Sequence, residues 1–295
     1  MTGQLPLRTV LLAAAALVGF AANSLLCRLA LGPGLIDAAS FTFVRLAAGA
    51  SVLLALSARG AGRFVRGAGS WTSAFALFAY AAAFSYAYLR IGAGTGALLL
   101  FGAVQATMLA GGLRAGERLR RGGAFGLALA LLGLVVLVRP GLAAPDALGA
   151  ASMAAAGVAW GVYSLRGRTA RAPSLVETAG NFARSVPLAV ALSLPTFPSA
   201  HASTHGIALA VASGAIASGL GYTLWYAALP GLGAVRAAIV QLSVPVLTAA
   251  AASILLGEPV TLRLVVASLL ILGGIALALG ASWRKSAKTT ASIDI

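Results

Sequence analysis

The sequence predicts an all-α, polytopic membrane protein with ten transmembrane helices, arranged as two inverted five-helix repeats. Three observations lead to this prediction: the composition, the spacing of the charged residues and an internal similarity between the two halves. Of the 295 residues, 60% are hydrophobic and 9% are charged, whereas an average soluble domain has about half and about a quarter. A chain of this length has room for roughly ten apolar spans and for little else. A soluble globule is therefore excluded.

The charged residues are strongly unbalanced. The chain carries 21 basic and 6 acidic residues, a formal net charge of +15, which in a soluble protein would indicate a nucleic-acid partner. Here the charges lie in short clusters between long apolar runs, so we expect them to lie against the lipid headgroups. We therefore expect no nucleic-acid partner. The single cysteine, Cys27, cannot form a disulfide within the chain, which excludes a disulfide scaffold.

Stretches without charges locate the individual spans, because a charge at the centre of a span costs a few kcal/mol. Single spans are predicted at residues 9–27, 122–138, 147–165 and 264–283, and two spans with one internal arginine each are predicted near 38–58 and 178–197. The stretch 67–113 needs two helices and turns at Arg90. The stretch 202–257 also needs two, with a turn at the tripeptide Leu229-Pro230-Gly231.

The first span has the flanking arginine of a signal peptide but not its length. Its 19 apolar residues exceed the roughly 7 to 15 of a signal peptide, so we expect a transmembrane helix that is retained. With the N-terminus inside, 14 basic residues lie on the inner side and four, Arg28, Arg90, Arg139 and Arg263, on the outer side. This asymmetry predicts a multi-pass protein of the bacterial inner membrane with both termini in the cytoplasm.

The two halves of the chain are similar at an offset near 140 residues. The tripeptide Phe43-Val44-Arg45 corresponds to Phe182-Ala183-Arg184, and Gly116-Glu117 corresponds to Gly257-Glu258. Residues 1–143 would form the first repeat, and residues 144–295 the second, with a short basic C-terminal tail. Since each repeat holds an odd number of spans, the second copy enters the bilayer upside down. Inverted repeats are typical of secondary transporters that open alternately to opposite sides.

Amides and aromatic side chains are the candidates for contact with a substrate. The amides within spans are Asn23, Gln105, Asn181 and Gln241, and each either joins helices or contacts a substrate. Tyr80, Phe84 and Phe101 lie in the middle of their spans, and the first two share a helix face. Another aromatic group lies nearer the cytoplasmic ends, where an interfacial belt is the commoner explanation. This second group consists of Trp160, Tyr163, Tyr222, Trp225 and Tyr226.

The charged residues offer no reactive centre. All six acids lie at span ends or in loops, which favours a facilitator or an exchanger over a carrier driven by a mid-membrane carboxylate. Arg45 and Arg184 occupy equivalent places in the repeat, where snorkelling to the interface or structural pairing is expected and a substrate carboxylate is the alternative. His201 and His205 share one loop without a third ligand. We therefore predict no metal, no cofactor and no enzymatic activity.

The sequence resembles the EamA family of the drug/metabolite transporter superfamily. The resemblance rests on residues 219–229, GLGYTLWYAAL, which lead to Leu255-Leu256-Gly257-Glu258-Pro259 and to Gly273-Gly274. The first half repeats the pattern as Tyr88-Leu89-Arg90-Ile91-Gly92 and Gly116-Glu117-Arg118-Leu119. Within the family the chain is similar to the YddG-type amino-acid exporters, notably where residues 88–92 run into Leu98-Leu99-Leu100-Phe101.

This resemblance implies a ten-helix basket, a central cavity open to one side at a time, and export of amino acids, including aromatic ones. The cavity aromatics carry over to Tyr80, Phe84, Phe101 and Trp160. Ala103 stands where a further bulky aromatic is expected, which implies a roomier pocket and a broad specificity.

Together the residues and the resemblance predict an amino-acid exporter that works by alternating access. The substrate-binding residues are predicted to be Asn23, Tyr80, Phe84, Phe101, Gln105, Trp160, Tyr163 and Gln241. One alternative is export of cationic drugs or other small metabolites by the same fold. The lack of a carboxylate in the middle of a span disfavours a drug-proton antiporter. The other alternative is a non-transporting membrane enzyme or assembly factor, which would need clustered acid-base or metal residues. The oligomeric state stays open, a monomer being one alternative.

Overall fold

The computed structural model describes residues 6–61, 68–114, 121–139, 144–167 and 172–290. These residues form an all-α protein, as predicted, with one isolated β-bridge between Ile36 and Ala202. The eleven α-helices of the described residues are Leu7–Leu31 (α1), Ala38–Ala61 (α2), Trp71–Tyr88 (α3), Ala93–Arg114 (α4), Arg121–Val138 (α5), Ala147–Gly167 (α6), Ser174–Ser193 (α7), Thr204–Val211 (α8), Gly221–Gln241 (α9), Ser243–Leu256 (α10) and Leu262–Thr290 (α11). A π-helical segment, Ala212–Leu220, joins α8 to α9.

Several of these helices are suited to a bilayer. Six helical stretches among the described residues are long and apolar enough to cross a membrane: Leu7–Leu31, Ala38–Arg59, Ala93–Gly112, Arg121–Val138, Ala147–Gly167 and Thr204–Trp225. Two shorter apolar helices are Ser243–Leu256 and Leu262–Ala278. The predicted multi-pass character is confirmed, although six is fewer than the predicted ten. α3 and α7 are also long enough to cross a membrane, but they are more polar than these six stretches. α3 contains serines and tyrosines, and α7 contains Glu177 and Arg184.

One predicted turn is wrong and another is confirmed. The chain does turn at Arg90, since α3 ends at Tyr88 and α4 begins at Ala93. By contrast, α9 continues through Pro230, and the helix is interrupted only at Leu242, between α9 and α10. Proline removes one backbone hydrogen bond and kinks a helix, but the helical pattern can resume beyond it.

Glycines allow α5 and α11 to approach closely. A Cβ atom added to Gly126 would lie 2.5 Å from the carbonyl oxygen of Gly274, and one added to Gly274 would lie 2.5 Å from the carbonyl oxygen of Gly126. Gly133 of α5 lies against Ile271 of α11 in the same way. Such contacts between small residues hold helices together in lipid, where burying apolar surface provides little driving force.

The N-terminal and C-terminal halves interlock. α5 packs along α11, α2 along α7, and α3 along α6. α1 packs against α9 and the π segment, while α4 packs against α6 and α10. Because most of the long-range packing joins the two halves, the buried core is shared between them. The cavity described next lies within this shared core.

Candidate functional site

A central cavity opens between helices of both halves. The centres of water-sized molecules can occupy about 30 Å³ of it, and the surrounding space between atoms, open solvent at the mouth included, is about 450 Å³. α1, α3, α4, α6, the π segment and α9 supply the lining residues, which are Phe20, Asn23, Ser24, Tyr80, Phe84, Leu100, Phe101, Trp160, Ala217, Ser218, Tyr222 and Gln241. Six of the eight residues predicted for the substrate site are in this lining; the other two, Gln105 and Tyr163, are not.

Aromatic rings form a continuous wall along the cavity. The ring centroids of Tyr80 and Phe84 are 5.3 Å apart, and those of Tyr80 and Trp160 are 4.9 Å apart. Trp160 stacks on Tyr222 with a centroid distance of 5.2 Å and an interplanar angle of 19°. Rings at these distances attract one another beyond the burial of their surface. The wall therefore joins α3, α6 and α9 and presents flat apolar surface to whatever occupies the cavity.

Of the two explanations open for the aromatic residues near the cytoplasmic ends, an interfacial belt does not describe Trp160, Tyr222 or Trp225. Trp160 and Tyr222 line the cavity, and Trp225 is buried with its ring 5.8 Å from Phe20 of α1. The reason is tertiary: α1 packs over α9 and covers side chains that would otherwise face lipid. The side chain of Tyr226 lies outside the described residues.

Gln105 and Tyr163 are buried close to the cavity without lining it. Gln105 lies one helical turn beyond Phe101 on α4. The Tyr163 ring contacts Trp160, while its hydroxyl accepts a 3.5 Å hydrogen bond from Nδ2 of Asn181. Asn181 in turn accepts a 2.8 Å bond from the backbone N–H of Ser70. Of the two roles left open for the amides, Asn181 thus takes the structural one and joins α6, α7 and the segment before α3.

A cluster of hydrogen-bonding side chains lies beside Tyr80 of the aromatic wall. Nδ2 of Asn23 lies 3.4 Å from the hydroxyl of Tyr80, and Oδ1 of Asn23 accepts a 2.6 Å hydrogen bond from Ser213. Nη2 of Arg45 donates to the same Tyr80 hydroxyl at 3.1 Å. Its guanidinium carbon lies 5.2 Å from the Tyr80 ring centroid and 4.9 Å from that of Phe84, within the range of cation–π attraction.

Of the two roles expected for Arg45, snorkelling is excluded, and pairing with Tyr80 inside the protein is what the structure has. Arg45 is only 2% exposed, and its Nη1 atom is buried with no hydrogen-bond partner among the described residues. α2 carries it inward, between α7 on one side and the π segment on the other, so its side chain cannot reach an interface. Arg184, its counterpart in the repeat, is half-buried and donates through Nη1 to the carbonyl oxygens of Ala68 and Gly180. For Arg184 the expected structural pairing is confirmed.

Polar contacts also close the end of the helices that includes Glu258, which we call the Glu258 face. The Glu258 carboxylate accepts bonds from the backbone N–H of Ala93, at 2.7 Å and 3.0 Å, and from Nε of Arg28 at 3.3 Å. Nη1 of Arg28 donates to the Tyr88 carbonyl at 2.8 Å. Because Ala93 begins α4, the carboxylate also meets the positive end of that helix dipole. The Arg28–Glu258 ion pair and these hydrogen bonds thus link α1, α3, α4 and the segment after α10.

Two loops pair on the same face. The backbone N–H of Asp37 donates to the carbonyl of His201 at 3.0 Å, and the backbone N–H of His201 donates to Oδ2 of Asp37 at 3.1 Å. Desolvation would raise the pKa of Asp37, but hydrogen bonds from Ser40 and His201 outweigh it and lower that pKa. Within the described ranges no three His, Cys, Asp or Glu residues are placed to hold a metal ion.

Some lining residues were not predicted. Phe20 lies three residues before Asn23 on α1 and four residues before Ser24. Residues at these spacings are neighbours on a helix surface, so the position of Asn23 could have predicted Phe20 and, through it, Ser24. Ala217 and Ser218 line the cavity because the π segment turns them inward, and small residues in an apolar span carry no signal for this. Arg45 was singled out, but its contact with Tyr80 depends on the packing of two helices far apart in sequence.

The fold and the cavity together define the class: a multi-pass, all-helical membrane protein with a cavity at its centre. Residues 147–280 match the EamA-like transporter family. The chain is 51% identical over 284 residues to an uncharacterized protein of Pseudomonas aeruginosa, which covers 95% of this chain and 98% of the relative. It is 32% identical over 166 residues to an uncharacterized transporter of Archaeoglobus fulgidus, over 54% of this chain and 58% of the relative.

Among solved structures, one crystal structure of a protein is similar over 94% of this chain and 98% of its own, with a TM-score of 0.68 and 24% identity. At that identity the likeness is one of fold. Residues 147–280 therefore form an EamA-like transporter family domain. For this part of the chain the family resemblance seen in the sequence is confirmed, and the family is one of transporters.

Proposed function

We propose that this protein exports amino acids, aromatic and others, across the bacterial inner membrane by alternating access through the central cavity. The observation that carries the proposal is the cavity itself, in which an aromatic wall lies beside a cluster of hydrogen-bonding groups at Tyr80. This division matches a molecule with an apolar side chain and a polar, zwitterionic head. The side chain would lie against Tyr80, Phe84, Phe101 and Trp160, with Asn23 and Gln241 as hydrogen-bonding partners.

Alternating access is supported by the way the two halves pack. If residues 1–143 and 144–295 are inverted copies, each contact between halves should recur with the roles exchanged. The packing of α3 on α6 has a counterpart in that of α1 on the helical segment from α8 to α9, and the packing of α4 on α6 has one in that of α1 on α10. Ten crossings then follow, with α8, the π segment and the start of α9 as the eighth. The rest of α9 and α10 would be the ninth.

The positive-inside rule orients the protein in this proposal. Both termini are cytoplasmic, so the Glu258 face is periplasmic and its ion pair and loop pairing close the cavity on that side. Opening toward the periplasm would require these contacts to separate, while one half rocks against the other. The aromatic wall, which contains residues of both halves, would rearrange in the same motion.

Cationic drugs are the alternative cargo, and one observation disfavours them. Arg45 is a buried positive charge directly behind Tyr80 and Phe84 of the cavity wall. The ion pairs between described side chains are Arg28 with Glu258 and Arg90 with Asp146, so Arg45 is not neutralised by one of them. Two like charges in a medium of low dielectric repel each other, whereas a zwitterion can turn its carboxylate toward Arg45.

Counterflow in proteoliposomes tests the proposal. Vesicles are loaded with a mixture of the common amino acids, and uptake of each labelled amino acid is measured with and without a pH gradient. We expect uptake of several amino acids, aromatic ones included. If a sugar or a cationic drug moves and no amino acid does, the proposal is wrong.

A pair of tryptophan variants tests the place of binding. Trp160→Ala removes a ring from the cavity wall, and we expect it to reduce uptake strongly. Trp71→Ala is the matched control, because Trp71 is 61% exposed at the start of α3 and away from the lining. Equal uptake by both variants would remove the cavity from the proposal while leaving the cargo intact.

A further inference from the structure

We propose that Tyr80 binds the carboxylate group of the substrate, and that Arg45 acts behind it as a positioning residue that makes the Tyr80 hydroxyl a hydrogen-bond donor toward the cavity. The inference rests on the proposed function, because it specifies which end of an amino acid each part of the cavity holds. It extends that function to a carboxylate subsite made of one lining residue and one residue outside the lining.

The first step is the hydrogen-bonding capacity of the Tyr80 hydroxyl. A phenol has one proton to donate and oxygen lone pairs that accept. The guanidinium of Arg45 can only donate, so it occupies one lone pair at 3.1 Å. Asn23 approaches the same oxygen through Nδ2 at 3.4 Å. With both approaches coming from donors, the proton of Tyr80 remains for an acceptor.

The orientation of the Asn23 amide supports this assignment. Ser213 lies 2.6 Å from Oδ1 of Asn23, a distance typical of an O–H···O bond and short for an N–H···O bond. The amide oxygen therefore faces Ser213, and the amide nitrogen faces Tyr80. Asn23 keeps one further N–H, and its side chain lines the cavity beside Tyr80. Tyr80 and Asn23 can thus both donate to a group in the cavity.

The second step is the charge behind the donors. Arg45 is 2% exposed, and its Nη1 has no hydrogen-bond partner among the described residues. An uncompensated cation in a low-dielectric core is costly, and a nearby anion reduces that cost. A carboxylate accepting the Tyr80 proton would lie across one hydroxyl from the guanidinium. Hydrogen bonds to an ionised acceptor are about twice as strong as neutral ones, so this subsite selects an anionic headgroup over a neutral one.

The aromatic part of the cavity then takes the rest of the molecule. Trp160 of α6 lies 4.9 Å from Tyr80, ring centroid to ring centroid, and stacks on Tyr222 of α9. The faces of these rings attract an ammonium group, and their surfaces bury an apolar side chain. The zwitterion would therefore lie with its carboxylate at the Tyr80 hydroxyl and the rest of the molecule along Trp160.

The test compares probes that differ only in the carboxylate. Apparent KM values in proteoliposomes are measured for phenylalanine and phenylalaninamide. Thermal stabilisation of the purified protein is measured with those two and with phenylacetate and phenylacetamide. The variants are Tyr80→Phe and Arg45→Met, with Arg45→Lys to restore the charge. Tyr86→Phe on the same helix is the control, since Tyr86 is half-buried and outside the cavity lining.

We expect the wild-type protein and Tyr86→Phe to prefer each carboxylate over its amide. Tyr80→Phe and Arg45→Met should lose about tenfold of that preference, the order expected for one hydrogen bond to a charged group. Arg45→Lys should keep part of it. A role of Arg45 in stability alone would weaken the binding of acid and amide equally and leave their ratio unchanged.

The outcomes separate the inference from the proposed function. If amino acids are transported but every variant keeps the wild-type preference, or the wild type has none, the carboxylate subsite is wrong and the exporter proposal stands. If no amino acid is transported or bound, the exporter proposal is wrong. In that case a preference for phenylacetate over phenylacetamide that depends on Tyr80 supports the subsite, and the lack of one overturns it.

Discussion

Arg45 and Arg184, which end similar tripeptides in the two halves of the chain, have opposite surroundings. Arg45 is fully buried and contacts the phenol of Tyr80 and the ring of Phe84. Arg184 is half-buried and donates to the backbone carbonyls of Ala68 and Gly180. Both follow a phenylalanine by two residues in a long helix. The difference therefore arises from what packs against each helix, not from the local sequence.

This contrast separates a structural side chain from one available to a ligand. Arg184 donates to the carbonyls of Ala68 and Gly180, so it stabilises the connection between α7 and the segment before α3. Arg45 has no hydrogen-bond partner for Nη1 among the described residues and lies next to the cavity wall. The same residue type after the same spacing from a phenylalanine can thus take a structural place in one helix and a place beside the cavity in another. The four predictions below follow this contrast, from the largest expected effect to the smallest.

The glycines beside the two arginines should show the largest effect. A Cβ atom added to Gly214 would overlap the carbonyl group of Arg45, and one added to Gly180 would overlap the carbonyl group of Ala68. We expect Gly214→Ala and Gly180→Ala each to cost about 1–3 kcal/mol, because the helices must separate. The measurement is thermal unfolding in detergent. Gly273→Ala is the control, since nothing lies within 4 Å of its added Cβ; a melting temperature unchanged in all three variants would contradict the close approach.

Replacing the arginines by methionine should separate them in stability. We expect Arg184→Met to cost about 1–3 kcal/mol, because it removes the donor that serves the Ala68 carbonyl. Arg45→Met should cost less, because it also removes a buried charge without an ion pair among the described side chains. Thermal unfolding of the two variants, side by side with the wild type, is the measurement. A larger loss for Arg45→Met would show that its contacts with α3 are mainly structural.

The ion pair of the Glu258 face should have an intermediate effect. Glu258→Gln weakens the contacts with Arg28 and Ala93. The expected loss is about 1 kcal/mol in the free energy that keeps this face closed, the order for a half-buried ion pair with additional hydrogen bonds. Cys27, buried next to Arg28 and the single cysteine of the chain, reports the opening of this face by its rate of alkylation with a maleimide. A free-energy change of that size raises an open population about fivefold.

Asp146→Asn is the control for that experiment. Its pair with Arg90 is 3.8 Å long and more than 40% exposed on both sides, so it contributes little. Asparagine also preserves the hydrogen bond that Oδ1 of Asp146 accepts from the N–H of Gly149 at the start of α6. Equal alkylation rates in the two variants would mean that Glu258 does not hold this face closed.

The smallest effect should come from the paired loops and depend on pH. Hydrogen bonds from Ser40 and His201 hold the pKa of Asp37 below its ordinary value of 3.8, in spite of desolvation. A lowered folded-state pKa means that Asp37 stabilises the fold above its ordinary pKa, and that this contribution is lost as the pH falls through the lowered value. Asp37→Asn should therefore reduce stability slightly at neutral pH and flatten its dependence between about pH 5 and the acid limit. Parallel pH dependences for variant and wild type would contradict the assignment.

Part of the cavity could be predicted from single helices. Tyr80 and Phe84 are four residues apart, so their shared face follows from helix geometry, and both line the cavity. Amides in an apolar span must face other helices, which placed Asn23 correctly. The same reasoning brought in Gln105, although only the neighbouring turn of α4 reaches the cavity. Whether a residue of α4 lines the cavity depends on a shift of one helical turn, and the hydrophobicity of the sequence does not distinguish neighbouring turns.

The composition, the charge spacing and the residue types determined that this chain is a bundle of membrane helices, with aromatic residues and amides in its interior. These follow from short-range physics: an apolar helix satisfies its own backbone in lipid, and residue spacing sets its faces. Only the tertiary structure decided that Arg45 supports Tyr80 while Arg184 holds a loop, and that α1 buries Tyr222 and Trp225. These contacts join residues from 35 to more than 200 positions apart, so they depend on how helices of both halves pack together.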